Sequence, residues 1–201
     1  MKKHIHLSLF TFLFCYCLFS QQKENTSILF IGNSLTFTNN LPKLVKKAAK
    51  AKGKKITTEM VAFPNFAIID HWKGGKVQQL ISSKKYDYVI IQQGPSSQLN
   101  GRQMLIEDGK KYSDLCKANN VSLCYYMVWP SLQFYQTFDG VIQNYTDAAS
   151  INEAKLLPVG KLFKAHFDRT KDYSYYGRDG FHPSKKGSKK AAEIIVRYLF
   201  L

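Results

Sequence analysis

The sequence predicts an α/β domain, with a parallel sheet of about five strands and helices on both faces. Three observations carry this. Short apolar runs of strand length alternate with longer stretches of helical period. The run at residues 86–93, "YDYVIIQQ", is apolar through its centre, as a strand covered on both faces must be. The chain has 201 residues, 45% hydrophobic and 14% aromatic, enough for one substantial core and unlike a disordered composition.

The first twenty residues stand apart. Lys2 and Lys3 precede an apolar run from Leu7 to Phe19, followed by Ser20, Gln21 and Gln22. This is the layout of a secretory signal peptide cleaved near Ser20. The run falls short of the ~20 residues that a membrane span needs. Cys15 and Cys17 sit among bulky residues, which disfavours lipid attachment at either. The expectation is an exported protein, periplasmic or extracellular, with residues 21–201 forming a single domain and no transmembrane helix in the mature chain.

The elements follow in order. "SILFIG" (27–32) reads as the first strand. Residues 40–52 read as a helix, capped by Asn39 or Asn40, with Pro42 in the first turn and Gly53 beyond its end. Residues 55–63 form a second strand. Short helices at 67–72 and 76–83 are separated by Gly74 and Gly75. Strand 86–93 precedes a helix at 103–119, and strand 121–129 is stopped by Pro130. Residues 130–140 read as loop, 141–154 as helix, 155–160 as a fifth strand and 161–168 as helix. An aromatic stretch, 172–184, leads to a closing helix at 184–200.

Chemistry in such a sheet gathers at the carboxyl ends of the strands. "ILFIGNSLTFTNN" (28–40) ends a strand on Gly32-Asn33-Ser34, and 86–93 ends on Gln92-Gln93-Gly94. A serine becomes nucleophilic when a base takes its proton and a third group orients the base. Beyond the leader there are three histidines. His166 falls in an ordinary helical pattern, and packing or a helix-end contact accounts for His71. His182 lies in "RDGFHPS", three residues after Asp179. Around a turn, that spacing lets the carboxylate hold one ring nitrogen and leaves the other free to face Ser34.

"IGNSLT" near the amino end and "DGFHPS" near the carboxyl end, on an alternating chain of this size, resemble the SGNH/GDSL hydrolases, a family of esterases and lipases. The serine block is a Gly-Asn-Ser-Leu variant of the family's Gly-Asp-Ser-Leu form. The resemblance covers nearly all of residues 27–200. It implies a three-layer, flavodoxin-like fold, with Ser34 as nucleophile, His182 as general base and Asp179 as its partner. It further implies an oxyanion hole from the backbone N–H groups of Ser34 and Asn65 and a side chain after the third strand. Gln93 is preferred for that side chain, with Ser96 and Gln92 as alternatives. Pro64 and Asn65 stand where the family commonly has glycine. Neither a metal nor a cofactor is implied.

The expected function is therefore an exported serine esterase acting on a small ester or an acylated carbohydrate, acetyl groups included. Two alternatives stay open: a non-catalytic glycan-binding protein of the same fold, and a flavodoxin-like module binding phosphate or flavin through the Gly-Asn-Ser loop. The formal net charge of +15 is concentrated in lysine clusters at 43–55 and 185–190. These read either as solvated helix faces or as attraction to acidic polysaccharide or an anionic surface. No nucleic-acid motif is present. Cys116 and Cys124 are expected on neighbouring elements, as a disulfide or as buried thiols.

Overall fold

A computed structural model describes residues 25–83 and 85–200. The signal-peptide reading of residues 1–20 lies outside them. Five strands form one sheet in the order β2-β1-β3-β4-β5, and every pairing is parallel. They are β1 (Thr26–Gly32), β2 (Ile56–Ala62), β3 (Tyr88–Ile91), β4 (Ser122–Tyr126) and β5 (Lys155–Leu157). The interior strand β1 is apolar because helices cover both faces: Ile28, Leu29, Phe30 and Ile31 are fully buried. The edge strand β2 alternates instead, exposing Thr57, Glu59 and Met60.

Helices α2 (Leu41–Lys50) and α8 (Lys185–Phe200) pack side by side on one face. On the other lie α3 (Ile68–Lys73), α4 (Lys76–Ser82), α5 (Leu99–Ala118) and α6 (Phe138–Ile151). Helix α7 (Val159–Thr170) contacts both α6 and α8 beside the β5 edge. This is the three-layer α/β/α architecture. The short α1 (Ser34–Phe37) directly follows β1.

Several boundaries differ from the sequence expectation. Helix α5 starts at Leu99, four residues before the expected start, and α6 at Phe138, inside the expected loop. Residues 132–137 of that loop form a 3-10 turn. The fifth strand stops at Leu157, because Pro158 opens α7 and Val159 and Gly160 are its first helical residues. Strand β4 ends at Tyr126, although Met127, Val128 and Trp129 remain fully buried beyond it.

Cys116 on α5 and Cys124 on β4 are free and buried. Burial pushes both thiols up to about 12, so neither is a reactive thiolate at neutral pH.

Between β1 and β3 the strand order changes direction, and a crevice opens there at the carboxyl ends. The segments leaving β1, β2 and β3 meet in it.

Candidate active site

Strand β1 ends on Gly32 because a side chain does not fit there. A Cβ at that position would lie 2.3 Å from Thr36 Oγ1 and 2.4 Å from Gln92 Oε1. The Gly32 carbonyl accepts from the Phe63 N–H at 3.2 Å and from the His71 ring at 2.8 Å. The next residue, Asn33, caps α1: its Oδ1 accepts from the Leu35 N–H at 3.1 Å. Ser34 is then the first residue of the helix, half-buried at the crevice.

Asn33 and Gln92 form a closed amide clamp. Gln92 Oε1 accepts from the Asn33 N–H at 3.0 Å and the Thr36 hydroxyl at 2.7 Å. Gln92 Nε2 donates to Asn33 Oδ1 at 3.0 Å and to the Gln93 carbonyl at 2.6 Å. Asn33 Nδ2 donates to the Phe66 carbonyl at 3.1 Å, tying the serine turn to the loop after β2. Because Leu35 N–H and Asn33 N–H are donors only, both amide orientations are determined by the network.

His182 is delivered by the loop before α8. Gly180 takes the left-handed backbone, φ 66°, that a turn within Asp-Gly-Phe-His requires. Asp179 Oδ1 accepts from the N–H groups of Phe181 and His182, each at 3.0 Å. Its Oδ2 lies 2.6 Å from His182 Nδ1, and His182 Nε2 lies 2.9 Å from Ser34 Oγ. The loop is braced from outside: Trp129 Nε1 donates to the Phe181 carbonyl at 3.0 Å, and the Leu132 N–H to the Gly180 carbonyl at 2.8 Å. Asn39 Nδ2 joins the two halves, donating at 3.0 Å to both the Pro183 carbonyl and Ser188 Oγ. Partial burial works to raise the Asp179 pKa. The hydrogen bonds from the His182 ring and the two N–H groups outweigh it and hold the carboxyl below its ordinary range. An ionised Asp179 can only accept, so Nδ1 keeps its proton and donates it in this hydrogen bond, and Nε2 presents its lone pair to the Ser34 hydroxyl.

The loop after β2 carries Asn65 in the left-handed region, φ 61°, a conformation asparagine tolerates. Among the described residues the Asn65 N–H makes no hydrogen bond. Asp70 stabilises the loop's exit by accepting from the Ala67 N–H at 2.8 Å.

After β3, Gln93 is buried. Its Nε2 donates to Ser96 Oγ at 2.8 Å and makes only a long, 3.5 Å contact to the Gly101 carbonyl. The Ser96 hydroxyl donates to the Gly94 carbonyl at 3.0 Å. Helix α6 holds this loop, with the Tyr145 hydroxyl on the Gln93 carbonyl and Asn144 Nδ2 on the Ser96 carbonyl, both at 2.7 Å. Ser34, Asn65, Phe66, Gln93, Met104 and Phe181 line a cleft of about 410 Å³.

The fold thus brings Ser34, Asp179, His182, Asn65, Gln93, Gln92 and Ser96 to one crevice. Gln92 is committed to the clamp through both Nε2 hydrogens, and Ser96 has spent its single hydrogen. His166 stacks on Tyr175 away from the triad, at 4.4 Å between ring centroids. Among the described residues no group of three or more His, Cys, Asp or Glu side chains gathers as metal ligands would.

Three supports were not legible in advance. His71 is buried under the serine turn against Phe63 and Phe66. Burial lowers its pKa, against the opposing Gly32 hydrogen bond and Asp70 charge, so the ring is neutral and donates from Nε2. Asn33 and Asn39 read in sequence as turn or capping residues. Each makes its decisive bond to a segment remote along the chain, and no local pattern marks that.

The serine turn has few N–H groups left for an anion. Those of Asn33 and Leu35 go to side chains of the clamp, and those of Thr36 and Phe37 go to the Asn33 carbonyl. Only Ser34 N–H stays outside these bonds, which leaves no cradle for a phosphate.

No protein-family model matches the chain, and no curated protein matches it in sequence. Solved structures do share its fold. A Slackia heliotrinireducens protein assigned to the SGNH hydrolases superposes with a TM-score of 0.73 at 20% identity, covering 87% of this chain and 99% of that one. A lipase/acylhydrolase from Enterococcus faecalis gives 0.70 at 15% identity, covering 86% and 94%. An acetyl xylan esterase from Geobacillus stearothermophilus gives 0.69 at 14% identity, covering 87% and 94%. The fold of this chain is the SGNH hydrolase fold.

Proposed function

We propose that this chain, built on the SGNH hydrolase fold, is a serine esterase exported from the cell. The observation that carries the reading is the hydrogen-bonded series Asp179–His182–Ser34, 2.6 Å and 2.9 Å, at the carboxyl end of β1. Ser34 Oγ attacks an ester carbonyl as His182 Nε2 takes its proton, and Asp179 stabilises the imidazolium that forms. The protonated ring then gives its proton to the departing alcohol. Water, deprotonated by the same nitrogen, releases the acid.

The negative charge on the tetrahedral oxygen is met by the N–H groups of Ser34 and Asn65 and by Gln93. Of the three amide or hydroxyl candidates, Gln93 alone keeps an N–H that is only weakly engaged, the one at 3.5 Å from the Gly101 carbonyl. Such donors act most strongly when aimed where charge develops, and losing one typically costs on the order of 100-fold or more in rate.

The substrate is a short acyl ester on a carbohydrate hydroxyl. Support comes from the open, modest cleft with a glutamine and serines on its wall, and from the likeness to an acetyl xylan esterase. A serine-reactive organophosphonate tests the assignment. It should label Ser34 stoichiometrically and abolish hydrolysis of p-nitrophenyl acetate. A wild-type protein that resists the reagent and leaves the ester intact refutes it, and leaves a glycan-binding protein of the same fold.

A further inference from the structure

We propose that the face formed by α2 and α8 is a binding track for an acidic, carboxylate-bearing polysaccharide, and that this polymer carries the ester presented to Ser34. The second half of the proposal rests on the esterase reading; the first does not.

Helix α2 exposes Lys43, Lys46, Lys47 and Lys50 and contains no acidic residue. At 3.6 residues per turn these four fall within an arc of about 100°. All are thus neighbours at i,i+3 or i,i+4, where like charges oppose helix formation. Lys43 also sits in the first turn, at the positive end of the helix dipole. Lys52, Lys54 and Lys55 follow in the turn between α2 and β2. Packed beside it, α8 adds Lys185 and Lys189.

Among the described residues none of these nine lysines makes an ion pair. The neighbouring Lys186 and Lys190 are matched by Asp172 and Glu193, at 2.9 Å and 3.3 Å. The other acid on the elements packed closely against α2 is Glu59, whose carboxylate takes the Tyr86 hydroxyl. The repulsion is therefore left uncompensated inside the molecule. A surface built at that cost matches a polyanion.

The track begins at the site. Helix α8 starts three residues after His182, and Asn39, at the foot of α2, donates to the Pro183 carbonyl and Ser188 Oγ. From there α2 runs away from the crevice for ten residues, about 15 Å. This geometry favours a flexible chain over a flat membrane. A planar surface seated on the crevice would miss the far lysines, whereas a polymer strand can follow the row and leave one acylated unit at Ser34.

The test uses the Ser34→Ala protein, so that binding is read without turnover. Titration with polygalacturonate should give saturable binding that fades in 1 M salt, where the screening length is about 3 Å. Neutral dextran should not bind. Replacing Lys43, Lys46, Lys47 and Lys50 together by Gln should weaken binding roughly tenfold or more, from four exposed ion pairs of modest individual strength. Circular dichroism and melting check that the variant folds. Lys185→Gln with Lys189→Gln tests the same track from the other helix. In the Ser34 background, the fourfold substitution should lower the turnover of acetylated polygalacturonate relative to p-nitrophenyl acetate by the same factor.

Unchanged polygalacturonate binding in both folded lysine variants overturns the proposal. So does binding only to anionic phospholipid vesicles or DNA. If the Ser34 protein is inert toward every ester while the salt-sensitive binding is present and lysine-dependent, the esterase reading falls and the polyanion track stands.

Discussion

Replacing Asn33 by Asp turns Gly-Asn-Ser-Leu into Gly-Asp-Ser-Leu, the commoner form in the family this chain resembles, and it should impair the protein. Asn33 Nδ2 donates to the Phe66 carbonyl at 3.1 Å, and the residue is only 7% exposed. A carboxylate oxygen in that place would face a carbonyl oxygen, exchanging a hydrogen bond for repulsion. The lost bond and unsatisfied carbonyl together cost about 1–3 kcal/mol. Protonating the new acid would restore a donor, but lifting a carboxyl from ~3.9 to above 7 costs roughly 4 kcal/mol. The cheaper response is for the Phe66 carbonyl to swing away, which shifts the adjoining Asn65 N–H. If that N–H serves the oxyanion, kcat on p-nitrophenyl acetate should fall ~10- to 100-fold with KM little changed. Steady-state kinetics and thermal melting of Asn33→Asp measure both effects. An Asn33→Asp protein as fast and as stable as wild type would refute the clamp and its link to the oxyanion loop.

Ser34→Ala and His182→Ala should each abolish hydrolysis of p-nitrophenyl acetate without lowering the melting temperature, and Asp179→Asn should be less severe. Gln93→Ala should cut kcat on the order of 100-fold and Ser96→Ala less. Gln92→Ala should also lower the melting temperature, since it opens the clamp; equal, purely kinetic losses in all three would contradict these separate roles. His71 is held neutral, so the unfolded chain binds a proton there that the folded chain resists. That penalty is absent above its ordinary pKa of about 6.5 and grows as pH falls below it. His71→Gln keeps an N–H donor for Gly32 but cannot titrate, so denaturant melts should show it losing less stability than wild type between pH 7 and pH 5. Identical slopes would refute the buried neutral ring.

The amide clamp also bears on how a neutral residue replaces an acid at the serine turn. Asn33 supplies both an acceptor for Leu35 and Gln92 and a donor for Phe66, which an ionised aspartate lacks. Gln92 complements it with an acceptor for two hydrogens and two donors of its own. The bonding of each side chain is intelligible only beside the other.

Much of this protein was legible along the chain. Alternating apolar runs and capped helices determined the α/β class and the approximate place of each strand, because burial on both faces forces an apolar core strand and caps obey local stereochemistry. The Asp179–His182 pair was legible for the same reason: its geometry is a turn three residues long. Boundaries slipped where burial and strand pairing part company, as at Met127 to Trp129, which are buried without lying in β4, and at Val159-Gly160, which read as strand yet begin α7. The meeting of Ser34 with His182 across 148 residues is tertiary, although the resemblance to a known family anticipated it. What only the folded chain decided are the bonds of Asn33 to Gln92 and Phe66, of His71 to Gly32, and of Asn39 to Pro183, together with the alignment of the two lysine clusters. These depend on parallel strands bringing loops of distant sequence to the same end of one sheet. Their residue types are common, and only the packing of the layers selects which of them meet.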